Sequence, residues 1–316
     1  MKKTLLVALL LAAPSALAQG YPTKPLRMEV AFPPGGPVDI IARLFGPKIG
    51  EALGQPVVVE NKVGASGNVA TTDVAKSAPD GYTLLAHSSA YAVNPTLFRN
   101  AGYDPLKDLA PVAIVAQQAN IILVNASFPA NTLEELKQQV LSRKLAFASP
   151  GAGTTPHLTG ENLFHAHWKA DITHIPFKGA GPAVAGMLSS EPPIGCMAGS
   201  GPMSNIKSGK FRALAVSAKQ RLPQLPDVPT LDELGYPGME DYTWVGLFVP
   251  AGTPAEVVQK LNDAVLKAVQ SPDIRQRLDA LAFQPTAAPL RETADYVRAE
   301  VSKWAKVVRE TGAKVD

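Results

Sequence analysis

Short β-branched runs alternate with helical patterns along most of this chain, and that alternation limits the fold more than any other feature. "LRMEVAF" (26–32), "PVVVEN" (56–61), "YTLLAHS" (82–88), "PVAIVAQ" (111–117) and "NIILVN" (120–125) read as buried strands. After the first of them, Ile41, Leu44, Phe45, Ile49 and Leu53 keep the i, i+3, i+4 spacing of one helix face. Thr132 with Glu135 predicts a capping box that opens a helix to about Ser142. Thr253-Pro254 with Glu256 predicts another, ahead of the single-face stripe Val257, Leu261, Val265 and Ala268. Ser271-Pro272 begins a further helix with proline in its first turn, and Val297, Val301, Trp304 and Val308 form a last apolar stripe. The expected class is therefore α/β with largely parallel sheets. The chain shows no internal repeat and no low-complexity segment.

The first residues bear on compartment. Lys2 and Lys3 precede an apolar run from Leu5 to Ala13, and Ala16-Leu17-Ala18 closes it. A basic start, a short apolar core and an A-x-A end describe a secretory signal peptide with cleavage expected after Ala18, and a bacterial periplasm fits best. The run is too short to span a bilayer comfortably. Of 316 residues, about 298 then remain, a length that suggests two domains. Removing the two lysines from 30 basic residues leaves 28 against 27 acidic ones. A nearly neutral chain argues against nucleic acid as a partner. The single cysteine, Cys196, excludes an intramolecular disulfide.

Most enzyme signatures fail. "MAGSGPM" (197–203) lacks the glycines of a nucleophile elbow at Ala198 and Pro202. "SPGAGTTPHLTG" (149–160) has Gly151 and Gly153 but neither the lysine of a P-loop nor the third glycine of a dinucleotide fingerprint. His165 and His167 diverge on a helix, and the five histidines show no ligand spacing, so neither metal nor cofactor is expected.

What survives is a set of polar, glycine-bearing loops that each follow a strand. In Pro33-Pro34-Gly35-Gly36-Pro37, Gly36 can be a helix N-cap and Pro37 the first helical residue, leaving early N–H groups free for an anion. His87-Ser88-Ser89 puts hydroxyls at a strand end. Ser149 to His157 is a small-residue turn ahead of another helix, with Thr154 or Thr155 as its cap. Any one loop alone is most simply a capped turn. Together they suggest a crevice at the carboxyl ends of parallel strands, able to hold a carboxylate without a fixed positive charge.

The blocks "FPPGGPVDIIAR" (32–43), "VENKVGASGNVA" (59–70), "FASPGAGTTPHLTGE" (147–161), "HIPFKGAGPAVAGML" (174–188) and "WVGLFVPAGTP" (244–254), with others between them, resemble the substrate-binding proteins of tripartite tricarboxylate transporters, the Bug-type or TctC-type family. The likeness runs through the whole mature chain in order. It implies a two-lobed periplasmic binding protein fold, type II-like, with two α/β lobes joined by crossing strands and a ligand cleft between them. Lobe 1 would hold 19–125 and 244–316, and lobe 2 would hold 126–243. The family's carboxylate grip falls on Pro34, Gly35, Gly36 and Asp39 from one side and on Ser149, Gly153, Thr154 and Thr155 from the other, with Ser88 and Ser89 lining the same cleft. The implied partners are a small carboxylate and the membrane permease subunits of the transporter, and the protein is expected to be a monomer with no catalytic activity.

Asn61-Lys62, Ala70, Tyr91 and Phe177 depart from the family's usual residues. "SSEPPIGCMAGSG" (189–201) replaces a more typical turn and strand, and Pro192-Pro193 is expected to interrupt a ladder there. Two other readings stay open. One is a periplasmic enzyme acting on an organic acid through the 149–157 loop, for which no carboxylate partner of His157 is evident. The other is a ligand-dependent partner of a sensor kinase.

Overall fold

The computed structural model describes residues 20–311. The signal segment 1–18 and its cleavage site lie outside them. Among the described residues, ten strands and ten α-helices follow in near-alternation. The first lobe begins with β1 (Leu26–Val30), α1 (Pro37–Leu53), β2 (Val57–Asn61), α2 (Asn68–Ala75), β3 (Thr83–Ser88) and α3 (Ala90–Leu97). β4 (Leu109–Asn125) leads into α4 (Leu133–Ser142), β5 (Leu145–Ser149), α5 (Thr155–Glu161), β6 (Ile172–Pro176), α6 (Ala180–Leu188), β7 (Ile194–Ala198), α7 (Met203–Lys207) and β8 (Phe211–Val216). The return is β9 (Tyr242–Pro250), α8 (Ala255–Gln270), α9 (Pro272–Ala280), β10 (Gln284–Pro285) and α10 (Leu290–Thr311).

Sequence patterns account for most of these elements. Gly36 caps α1, Pro37 is its first residue, and Ile41, Phe45 and Ile49 are fully buried. Thr132 accepts from Glu135 N at 3.1 Å, and the Glu135 carboxylate reaches back to Asn131 N at 2.6 Å. The second expected capping box does not form. α8 begins after Pro254 without a side-chain cap, because the Thr253 hydroxyl donates to Pro250 O at 2.7 Å instead. The stripes of α8 and α10 are buried as their spacing requires, except that Val301 is only partly buried.

Sheet pairing is mixed rather than largely parallel. β1 pairs with β2 and β3, and β5 with β6 and β7, in parallel. Every contact made by β9 and β4 is antiparallel. The runs 111–117 and 120–125 are one 17-residue strand, β4, and not two. Its first part pairs with β9 as far as Ala119↔Tyr242, and its second part pairs with β7 and β8 from Asn120 and Ile121 onward. One strand thus belongs to two half-sheets, and β9 runs back beside its first part. Pro192-Pro193 does not break the second half-sheet. The prolines precede β7, and Pro193 O accepts from Asn125 N at 2.7 Å.

Both faces of each half-sheet are covered, so alternate residues of a strand enter different cores. In β9, Val245, Leu247 and Val249 face α1 and α8, while Trp244 and Phe248 face the core closed by α3 and α10. In β4, Ile122 and Val124 pack with Phe147 and Phe164, and Ile121 and Leu123 pack with Met187 and Met197. Tyr91, a departure from the family pattern, lies in the core: it stacks between Tyr103 and Phe248 and donates to Pro105 O at 2.7 Å.

The turn before α2 depends on a glycine. Gly67 has φ +96°, and a Cβ there would lie 2.1 Å from His87 Nε2, on a fully buried ring. Burial pushes the His87 imidazole down to about 4, so it stays neutral under this loop. Gly67→Ala should therefore destabilise the protein by roughly 2 kcal/mol or more, through positive φ together with overlap on a side chain that has nowhere to go. Urea unfolding would read this as a lower midpoint at unchanged slope. An unchanged midpoint would refute the close approach.

Candidate functional site

Three loops meet where the two lobes face each other. The β1–α1 loop brings Phe32, Pro33, Gly36, Pro37 and Val38, the end of β3 brings Ser88, and the β5–α5 loop brings Pro150, Thr154, Thr155 and Pro156. Ala180, Ala198 and Thr243 complete the walls of the cavity between them. The lobes touch around it: Ser66 Oγ donates to Ala152 O at 2.6 Å, and Ser89 Oγ lies 3.0 Å from Thr155 Oγ1.

The residues expected from the sequence divide into two groups. Gly36, Ser88, Thr154 and Thr155 line the cavity. Pro34, Gly35, Asp39, Ser89, Ser149 and Gly153 stand around or behind it and hold the loops in shape. Asp39 is 4% exposed; its carboxylate takes Gly35 N at 2.9 Å, Arg43 Nε at 2.9 Å and Asn61 Nδ2 at 2.9 Å. This clamp fixes the tip Pro34-Gly35 and consumes the Gly35 N–H. α1 has no side-chain cap, and among the described residues no acceptor meets the N–H of Gly36 or Val38.

Across the cleft, Thr154 caps α5: it accepts from His157 N at 3.5 Å and gives its own proton to Gly151 O at 2.7 Å. Pro156 has no N–H, which leaves that of Thr155 as the unspent donor of this turn. Beyond Glu161 the helix continues as a π-helical segment, Asn162–His167. Gly153, at φ +80°, passes so close to Asn94 that a Cβ would sit 2.6 Å from Asn94 Oδ1.

Under this loop lies a cluster that the sequence reading missed. His157 and His174 stack at 4.0 Å, and Ser149 Oγ is 2.7 Å from His174 Nε2. Glu161 lies 3.5 Å from His157 Nε2 and 2.5 Å from His165 Nδ1. The carboxylate partner of His157 was legible after all, one helical turn on at i+4. His157, Glu161 and His174 bring ligand atoms within 4.8 Å of one another, a donor set that a metal could use. The tautomer opposes it. His157 Nδ1 accepts from Gly153 N–H at 3.2 Å, so Nε2 carries the ring proton and has no lone pair to give. Burial, reinforced by His157, pushes His174 down to about 3. Ser149 is fully buried and occupied with His174 and Gly151, so it does not present a nucleophile to the cleft.

A second missed group runs behind the cavity to the crossing strands. Asp241 Oδ2 receives Thr159 Oγ1 at 2.7 Å and Asn120 Nδ2 at 3.0 Å, which fixes the Asn120 amide and turns its oxygen outward. That oxygen takes the Thr243 hydroxyl at 2.8 Å. With its proton spent, Thr243 must accept from Thr155 at 2.7 Å, and Thr155 must then accept from Ser89 at 3.0 Å. The hydroxyl chain therefore points one way, from lobe 1 through α5 into β9 and β4.

A family sequence model described as "Tripartite tricarboxylate transporter family receptor" matches residues 41–313. The protein BugT of Bordetella pertussis is 38% identical over 96% of this chain and 94% of its own. The solved periplasmic binding protein BugD is 34% identical with a TM-score of 0.89, over 93% of this chain and 99% of its own. MatC of Rhodopseudomonas palustris, solved with bound malate, is 35% identical with a TM-score of 0.86, over 91% and 100%. A second R. palustris protein, solved with adipate, is 31% identical with a TM-score of 0.89, over 93% and 99%. The two-lobed α/β architecture is common to these relatives and this chain.

Burial pushes the Asp241 carboxyl up to about 7, against a pull down from Lys303. A carboxyl whose folded pKa exceeds its unfolded one binds its proton more tightly in the native state. Its contribution to stability is greatest below about pH 4 and is lost as pH rises toward 7. Asp241→Asn removes that loss while keeping an acceptor for Thr159. The melting temperature of wild type relative to Asp241→Asn should therefore fall between pH 5 and pH 8. A difference independent of pH would refute the buried titration.

Proposed function

The chain belongs to the tripartite tricarboxylate transporter receptor family, and from that premise we propose that it captures a small organic carboxylate in the periplasm and delivers it to the membrane permease subunits of such a transporter. The observation that carries the ligand class is that Gly36, Val38 and Thr155, whose backbone N–H groups are unspent, line one interlobe cavity from opposite sides. Helix starts attract anions through orphan donors and dipole together. Malate and adipate in solved relatives support the same class. Gly36, Ser88, Thr154 and Thr155 form the contact set in this reading, and Pro34, Gly35, Asp39, Ser89, Ser149 and Gly153 position it. No step of covalent chemistry is assigned.

Binding in this reading is a hinge closure. In this reading the hinge lies where β4 changes partner, at Ala119–Asn120, and at the start of β9, which assigns 120–125 to the second lobe and not to the 19–125 segment expected from the sequence. Export after removal of residues 1–18 supplies the compartment. Relatives described as periplasmic binding proteins support it.

Gly36 offers a direct test. It has φ −82° and ψ 169°, ordinary extended backbone, and a Cβ there would meet nothing closer than Pro33 O at 3.6 Å. Asp is at least as good an N-cap as Gly, so Gly36→Asp should fold normally. Its carboxylate would occupy the anion's place. In wild type, a carboxylate at a hundredfold excess over Kd should stabilise by about 2.7 kcal/mol. In Gly36→Asp the calorimetric signal and the thermal shift should both vanish. Undiminished binding by a folded Gly36→Asp protein would overturn the grip assigned to this loop.

A further inference from the structure

We propose that the ligand selected here is a carboxylate with one charged end and a compact apolar body, an aromatic or branched aliphatic acid, rather than a di- or tricarboxylate. The proposal rests on the carboxylate reading above and narrows it. None of the residues that line the interlobe cavity is ionisable. Phe32, Pro33 and Val38 wall it from the first lobe, and Pro150, Pro156 and Ala198 wall it from the second. Almost all of the surface they expose to it is carbon.

Among the hydroxyl-bearing residues of the lining, Thr154, Thr155 and Thr243 spend their protons inside the protein, while Ser88 Oγ accepts from Ala90 N and keeps its proton, a single side-chain donor suited to one carboxylate. Thr154 gives its proton to Gly151 O, and those of Thr155 and Thr243 run inward to Asn120. Cations outside the lining are engaged or turned to solvent. Arg43 is bound to Asp39 and Asn61, and Lys178 is exposed. One carboxylate can be met by the backbone donors at the loops. A second, carried into this chamber, would lose its hydration and gain no partner charge, whereas an apolar body gains by leaving water. Malate and adipate, held by the solved relatives, each carry two carboxylates. The preference expected here separates this chain from those proteins.

The test is calorimetry on the full mature chain with benzoate, cyclohexanecarboxylate, succinate, citrate and benzamide at matched ionic strength. Benzoate or cyclohexanecarboxylate should bind at least about tenfold more tightly than succinate and citrate, a difference of about 1.4 kcal/mol or more. Ala198→Ser, which adds one hydroxyl to the chamber wall, should weaken cyclohexanecarboxylate several-fold. Succinate or citrate binding as tightly as the apolar acids would overturn the inference and leave the carboxylate reading standing. So would an Ala198→Ser protein that holds cyclohexanecarboxylate as tightly as wild type. Benzamide binding as well as benzoate, or no binding by any of these acids, would overturn both.

Discussion

The molecule depends on two strands that serve two cores at once. β4 pairs with β9 up to Ala119 and with β7 and β8 beyond it, so the backbone ladder passes from one lobe to the other without a break. Where the partners change, polar side chains are buried. Asn120, Asp241, Thr243 and Ser217 stand at that point and hydrogen-bond one another, with the Ser217 hydroxyl donating to Asp241 O and Asp241 Oδ1 left without a partner. A buried network of this kind is stable only when nearly complete.

The binding loops inherit their geometry from this frame. Thr155 reaches the network through Thr243, and Ser89 reaches it through Thr155, so both sides of the cleft are tied to the same buried network. Each loop also has its own fastening. Asp39 holds the Pro34-Gly35 tip from below, and His157 with His174 holds the Ser149–Thr154 turn. Around the cavity, backbone N–H donors at helix starts, the Ser88 hydroxyl proton and carbon walls remain unspent. In the proposed reading such a site would bind through fixed dipoles, and added salt would affect it mildly compared with a site built from lysines.

Ser149, His174, His157 and Glu161 contain the residue types of a hydrolytic or metal centre, and they are close together. Their protons and lone pairs are engaged in supporting a loop. Burial also holds His174 neutral. The cluster is thus accounted for by the loop it carries.

Much of this was readable from the sequence because it is local. The position of Gly36 and Pro37 at the start of α1, the Thr132 cap and the 3.6-residue stripes of α8 and α10 follow from residues a few positions apart. The signal-like start and the near-neutral charge are equally local facts. The i, i+4 pair His157 and Glu161 was readable too and was missed. What only the tertiary structure decided joins residues far apart in the chain: the fusion of two expected strands into β4, the antiparallel pairing of β9, and the meeting of Ser89, Thr155, Thr243, Asn120 and Asp241. The role of Asp39 belongs there as well, since a carboxylate in a first helical turn has a local reason to exist. Only the fold brings Asn61 to it and shows it holding a loop. Periodicity and capping reflect backbone chemistry within a few residues. Proton direction in a buried network depends on which distant partner can only accept, and that is settled when the strands cross.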